Sequence, residues 1–320
     1  MDTFEVLSTR LFPKNGGADA YRITGIAARC DWVILSDNQP PHAVLVNRSG
    51  AASPRHVFLS LRAPFEAIAY FIDQVLPLIT NPFVLVSGSE DVTVPHQIDQ
   101  RLRRFSAEES ARIQALLDDP RLVHWVAENL DDGGHPKMSP LPLGMVFPDP
   151  VPGNRIGIPA VPPLATRPLR VLCAHRVRGG SQWDLRRKVT ELCRREFAGL
   201  CTILEEAVSE EEFFDLIRAH AFVICVAGGG LDPAPKAWHA MLYGAIPIIL
   251  STPLDPAYAQ FPVAMVDHWD EHAFSLARLE EWRAMYAPQH DDEEQRAALI
   301  QRLGADYWWA SICARLGDSA

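Results

Sequence analysis

Residues 222–250 read FVICVAGGGLDPAPKAWHAMLYGAIPIIL. An apolar run at 222–226 leads into Gly228-Gly229-Gly230, a helix-compatible stretch follows, and a second apolar run at 245–250 closes the segment. Strand, glycine turn, helix and strand in that order make the repeating unit of a parallel α/β sheet. Glycines lack the Cβ that would keep the backbone from bending sharply and approaching a ligand. Asp232 is placed to cap the helix, Pro233 to open it, and Gly244 to end it after Tyr243. The free N–H groups of such a helix start suit an anion, phosphate above all, and Lys236 adds a formal charge in the first turn. A tight turn beside a solvated lysine fits the same residues, because the pattern is neither G-x-G-x-x-G nor a P-loop.

Outward from this segment the alternation continues. Strands are expected at 169–174, 202–204 and 263–266, and helices at 183–197, 210–220, 273–282 and 293–316. Ser209 followed by Glu212 forms a capping box for the helix at 210, whose buried face falls to Phe213, Leu216 and Ile217. The first half repeats the theme, with short apolar runs at 32–35, 43–46, 56–59, 83–86 and 122–126 and helical spacing at 65–78 and 107–117. Nine prolines between Pro140 and Pro168 interrupt both patterns. The expected organisation is therefore an N-terminal domain at 1–150, a Pro-rich linker at 151–168 and a C-terminal domain at 169–320. Both domains are expected to be Rossmann-like, doubly wound α/β sheets facing a central cleft, with ligand at the carboxyl ends of the strands.

Composition narrows the function. The chain has 320 residues, 48% hydrophobic, with 30 Lys and Arg against 40 Asp and Glu, for a net charge of −10. That sign opposes phosphate backbones, so nucleic acid is not expected as a partner. No apolar stretch approaches the roughly 20 residues that a bilayer crossing needs, and no apolar signal core opens the chain, so a soluble, cytoplasmic protein without a transmembrane segment is expected. The six cysteines form no C-x-x-C pair, and no H-x-x-x-H or H-E-x-x-H occurs, which points to reduced core thiols and no metal site.

A second candidate lies at 172–180, LCAHRVRGG, where a strand runs into glycines before a helix. Arg176 and Arg178 flank Val177 and share one side of an extended segment, and their fork-shaped guanidiniums match a diphosphate. Solvated loop arginines are the alternative. In the first half, Ser87-Gly88-Ser89-Glu90-Asp91 places two carboxylates after an expected strand. A partly desolvated carboxylate there has a raised pKa and acts as a general base, with Asp91 preferred over Glu90, unless the pair is an ordinary acidic turn. Asn129 and His135, beyond the 122–126 strand, are candidates for acceptor hydroxyls, as Asp131 and Asp132 are more weakly.

The residues at 222–233, Lys236-Ala237-Trp238, the run Gly244 to Ile249, Leu254-Asp255, Tyr258, Pro262-Val263 and Val266-Asp267-His268-Trp269 together resemble the donor-lobe signature of exostosin-like glycosyltransferases. Asn129, His135-Pro136-Lys137 and Pro142-Leu143-Gly144 resemble the passage that such proteins place before the lobe boundary. The resemblance implies a GT-B fold and an enzyme that moves a sugar from a nucleotide-sugar donor to a saccharide or other hydroxyl acceptor. It leans toward inversion and needs no cofactor or metal. A lipid-linked acceptor would bring peripheral membrane contact. The donor would be held by Arg176, Arg178, Gly228, Gly229, Gly230, Asp232, Lys236 and position 239. At 239 the family usually carries a glutamate or another polar residue for the ribose, and this chain has His239, which cannot offer bidentate acceptance. A catalytically silent two-lobed binding protein is the rival that His239 favours, unless His239 is simply a core histidine. A nicotinamide-dependent dehydrogenase is disfavoured by the glycine spacing and by the expectation that no acidic residue ends a second strand about twenty residues on.

Overall fold

A computed structural model describes residues 3–149, 151–233 and 235–317, with nothing said of the Gln182 side chain. The chain is mixed α/β and divides into two compact units. The first unit comprises Glu5–Arg155 together with Gly230–Asp232 and the chain from Gly304 onward, and the second comprises Ile156–Gly229 and Pro233–Leu303.

The first unit holds a six-stranded sheet of β1 (Trp32–Ser36), β2 (Ala43–Asn47), β3 (His56–Ser60), β4 (Phe83–Gly88), β5 (Leu122–Ala127) and β6 (Met138–Pro140), in the order β2-β1-β3-β4-β5-β6. All pairs are parallel except β1 with β2. The exception corrects the expectation of a wholly parallel sheet. The connection at 37–42 is too short for a crossover, which takes about a dozen residues, so the chain returns as a hairpin onto the sheet edge. β1, β3 and β4 are buried at every position, and β2 at the edge is only half-buried. Pro64–Tyr70 (α1), continued by wider and tighter turns to Leu78, and Ala107–Asp118 (α2) are the helices of the 65–78 and 107–117 patterns.

In the second unit β7 (Val171–Cys173), β8 (Cys201–Ile203), β9 (Phe222–Ile224), β10 (Ile246–Leu250) and β11 (Ala264–Val266) form an all-parallel sheet in the order β8-β7-β9-β10-β11. Its strands are continuous apolar runs with no alternation, as a sheet covered on both faces requires. Phe222, Ile224, Ile246, Ile248 and Val171 lie in one buried core with Trp282 and Phe274. Helices Asp184–Arg195 (α3), Glu210–Ala219 (α4) and Pro235–Leu242 (α5) fall between the strands as the sequence pattern has them. The first strand of this order has its two sequence neighbours on opposite sides, so the sheet has a switch point between β7 and β9, where open α/β sheets hold ligands.

Three boundaries differ from expectation. The 293–316 helix is two helices, Glu293–Leu303 (α8) and Ala305–Cys313 (α9), because Gly304 takes extended backbone (φ −81°, ψ 154°). The second of these packs in the first unit, where the Trp309 ring lies 4.8 Å from that of His56. Helix α5 opens at Pro235 rather than Pro233, so Asp232 is not its cap. Its end is as expected: Gly244 has φ 79°, and Ala245 N donates to Ala240 O (2.7 Å) while Gly244 N donates to Met241 O (3.2 Å), the paired bonds of a glycine C-terminus. The described part of the Pro-rich stretch is held rather than loose, with Leu164 buried and the Arg167 guanidinium donating to the carbonyls of Pro162, Ile217, His220 and Tyr243. All six cysteines are buried free thiols.

Candidate functional site

A cleft of about 770 Å³ opens in the second unit at the carboxyl ends of its first three strands. After β7 the chain supplies Arg176 and Arg178, after β8 it supplies 203–210, and α5 supplies Lys236 and His239. Four of the residues singled out from sequence therefore meet here, although 63 positions separate Arg176 from His239.

The framework is polar and well satisfied. His175 Nε2 lies 2.9 Å from Thr190 Oγ1 and 3.0 Å from Arg186 O, which ties the β7 loop to α3. Arg186 is buried and donates through Nε to Ala227 O (3.2 Å) and through NH2 to Val226 O (3.2 Å), fixing the loop that leaves β9. Its guanidinium also stacks over Trp183 at 4.6 Å, and that of Arg178 lies 5.7 Å from the same ring. Ser209 Oγ accepts from Glu212 N and the Glu212 carboxylate accepts from Ser209 N (2.8 Å), so the expected capping box sets the start of α4 beside the cleft.

Against that background three cations stand out. No acidic side chain pairs with Arg176, Arg178 or Lys236 among the described residues. Burial, with Arg186 and Arg176 adding repulsion, pulls the Lys236 ammonium down to about 8. Burial and then Lys236 push His239 down to about 4, so its imidazole is neutral at pH 7. Its Nδ1 is buried without a hydrogen-bond partner. Packed cations without counterions, lining a cavity of ligand size, form a site for an anion.

The rest of the expected donor set is elsewhere. Gly228, Gly229 and Gly230 do not line the cleft. Gly230 is required for packing: a Cβ there would sit 2.5 Å from both Asn129 Oδ1 and Asp91 O. Asn129 Oδ1 accepts from Leu231 N (2.8 Å) and Asp232 N (3.0 Å), and the Asp232 carboxylate accepts from Leu143 N (3.1 Å). Asn129 and Asp232 thus clasp the segment Gly230–Asp232 into the first unit instead of presenting polar groups to substrate. His135 Nδ1 accepts from Lys137 N (3.2 Å) and shapes its own turn.

The first unit gathers charge at the carboxyl ends of β4 and β5. Arg10, only 6% exposed, reaches Glu90 (3.4 Å), Glu128 (2.9 Å) and Asp91. Arg101 bridges Asp91 (3.1 Å) and Asp99 (2.7 Å), while Arg62 and Lys14 complete the shell around Glu90. Burial alone would raise the Asp91 carboxyl, but Arg10 and Arg101 hold it at about 2, and Glu90 is likewise held below the usual range. The raised pKa expected of Asp91 is therefore corrected, and with it the ground for a general base at 91 or 90. The carboxyl that burial does push up, to about 7, is Glu128. Glu128 is 1% exposed, and its Oε2 accepts from Thr9 Oγ1 (2.5 Å) and Ser89 N (2.8 Å), so it is enclosed by its own unit.

Sequence reading missed Arg186, Arg10 and Glu128. An arginine in a charged helix reads as solvated, and only the tertiary fold brings Thr9 and Arg10 to Glu128. The expectation that no acidic residue ends a second strand is also corrected, since Glu205 and Glu206 follow β8. No helix is long and apolar enough to cross a membrane among the described residues. No family model matches the sequence, and no curated protein matches it.

Proposed function

We propose that the second unit binds the diphosphate of a nucleotide-sugar and that the chain is a glycosyltransferase of the GT-B type, passing the sugar to a saccharide or other hydroxyl acceptor. The observation that carries this reading is the cleft at the β7–β9 switch point, lined by Arg176, Arg178 and Lys236 with no acidic partner among the described residues. Its volume suits a ligand of nucleotide-sugar size. In such a transfer the cost lies in the charge that develops on the departing diphosphate. Fixed cations beside it lower that cost without reorganising. The transfer is read as metal-independent and inverting, with the resemblance of 222–269 to exostosin-like enzymes as its support.

A second reading is a two-lobed protein that holds a nucleotide or saccharide without turnover. It is favoured by one observation, the saturation of Asp91 and Glu90 by arginines, which leaves neither as a base.

Titration calorimetry of the full chain with ADP, GDP, CDP and UDP, followed by incubation with the matching sugar donors, tests both. Binding of at least one diphosphate with release or transfer of its sugar is the expected result. Binding with no release from any donor favours the second reading, and absence of binding to all four overturns both.

A further inference from the structure

The cleft carries opposite charges at its two ends. Cations occupy the β7–β9 crevice through Arg176, Arg178 and Lys236, whereas the edge loop after β8 contributes Glu205, Glu206 and Glu210 to the same lining. A site for phosphate alone gains nothing from carboxylates along its wall, since they repel it. Such a wall suits a ligand whose anionic part lies at one end and whose neutral hydrogen-bond donors lie at the other.

The three carboxylates are not equivalent. Glu205 accepts from Arg194 Nε (3.3 Å) and NH2 (2.6 Å). Glu210 lies in the first turn of α4, where the helix N-terminus favours its charge locally. Glu206 is exposed and makes no ion pair among the described residues. An ionised carboxylate accepts at both oxygens and grips a vicinal diol with two hydrogen bonds. His239, neutral and with its buried Nδ1 unpartnered, offers the cleft only a single ring nitrogen and cannot take that part. We infer that Glu206 holds the ribose 2′- and 3′-hydroxyls of the nucleotide, so that the cleft selects ribonucleotides over their deoxy forms and rejects a ribose that bears a phosphate.

This inference rests on the diphosphate reading above and is separable from it. Calorimetry takes whichever of ADP, GDP, CDP and UDP binds most tightly, together with its 2′,3′-dideoxy counterpart, on the full chain and on Glu206→Ala and Glu205→Ala. Loss of charge-assisted hydrogen bonds typically weakens binding by about ten- to a hundredfold. The dideoxy ligand is expected to bind the unmodified chain weaker by that factor. Glu206→Ala should impose the same loss on the ribonucleotide and none on the dideoxy form, with Glu205→Ala near neutral on both. Circular dichroism of Glu206→Ala is expected to be unchanged, because the side chain is exposed. Equal affinity for ribo and dideoxy ligands overturns the Glu206 assignment and leaves the diphosphate site standing. So does a Glu206→Ala effect shared by both. Failure of all four diphosphates to bind the unmodified chain overturns the two readings together.

Discussion

Each unit places charged side chains at the carboxyl ends of parallel strands, yet the two sets end in opposite conditions. In the first unit Glu90, Asp91, Asp99 and Glu128 are met by Arg10, Lys14, Arg62 and Arg101, four acids against four bases, at distances of 2.6–3.8 Å where they are given. In the second unit Arg176, Arg178 and Lys236 face a cavity with no acid to meet them. Perturbed pKa values occur in both places, so perturbation does not by itself mark function. The direction relative to the partners does. Asp91 is driven further into its charged state by neighbours already present, whereas Lys236 is driven toward neutrality because its counterion is not part of the unit.

The sharpest way to break this contrast is to delete one cation from each set. Arg10→Met strands three buried carboxylates and is expected to cost the first unit about 3–5 kcal/mol of stability, read by urea unfolding. A loss below about 1 kcal/mol would mean that the cluster is not an interdependent network. Lys236→Met should not lower stability at pH 7. Its folded-state pKa lies below the unfolded value, so the ammonium disfavours folding below about pH 8, and that cost fades only as pH rises toward the unfolded value.

For ligand binding the expected losses are smaller. Lys236→Ala and Arg176→Ala should each weaken affinity for the best-bound nucleoside diphosphate by about 1–3 kcal/mol in calorimetry, without loss of stability. Unchanged affinity in both variants would remove the anion site. Smaller again is the pH effect. Because the free amine of Lys236 titrates near 8, diphosphate affinity should fall as pH rises above that value, by at most about tenfold per pH unit. Lys236→Arg should flatten the profile, since arginine stays charged throughout. The smallest effect concerns the wall beside Glu206: Ser209→Ala removes the α4 capping bond and should cost about 1 kcal/mol of stability. Thermal unfolding followed by circular dichroism reads it, and no shift would mean that α4 is fixed by packing alone.

How much of the site was legible follows from which residues depend on local geometry. Arg176, Arg178, Lys236 and His239 were found because each sits a few residues beyond a recognisable strand, and strand ends converge in a parallel sheet whatever the loops do. Glu206 satisfied the same criterion and was passed over. Gly230, Asn129 and Asp232 were misassigned because glycine and short polar residues serve backbone packing as readily as ligand binding. Only the approach of Asn129 to Leu231 and Asp232, more than a hundred positions apart in sequence, separates those roles. The antiparallel β2 was likewise readable from the shortness of 37–42, and α9 was not, since nothing in Ala305–Cys313 specifies the surface it covers.

The amino-acid sequence by itself determined the alternation of buried strands and helices, the capping box at Ser209, the helix end at Gly244 and the residence of six thiols in the core. Each of these follows from periodicity, from short-range hydrogen bonding or from the transfer of apolar groups out of water. Tertiary structure alone decided which charges are paired. Coulomb interaction depends on distance and burial, and neither the encounter of Arg10 with Glu128 nor the unpaired state of Lys236 is encoded within any one segment.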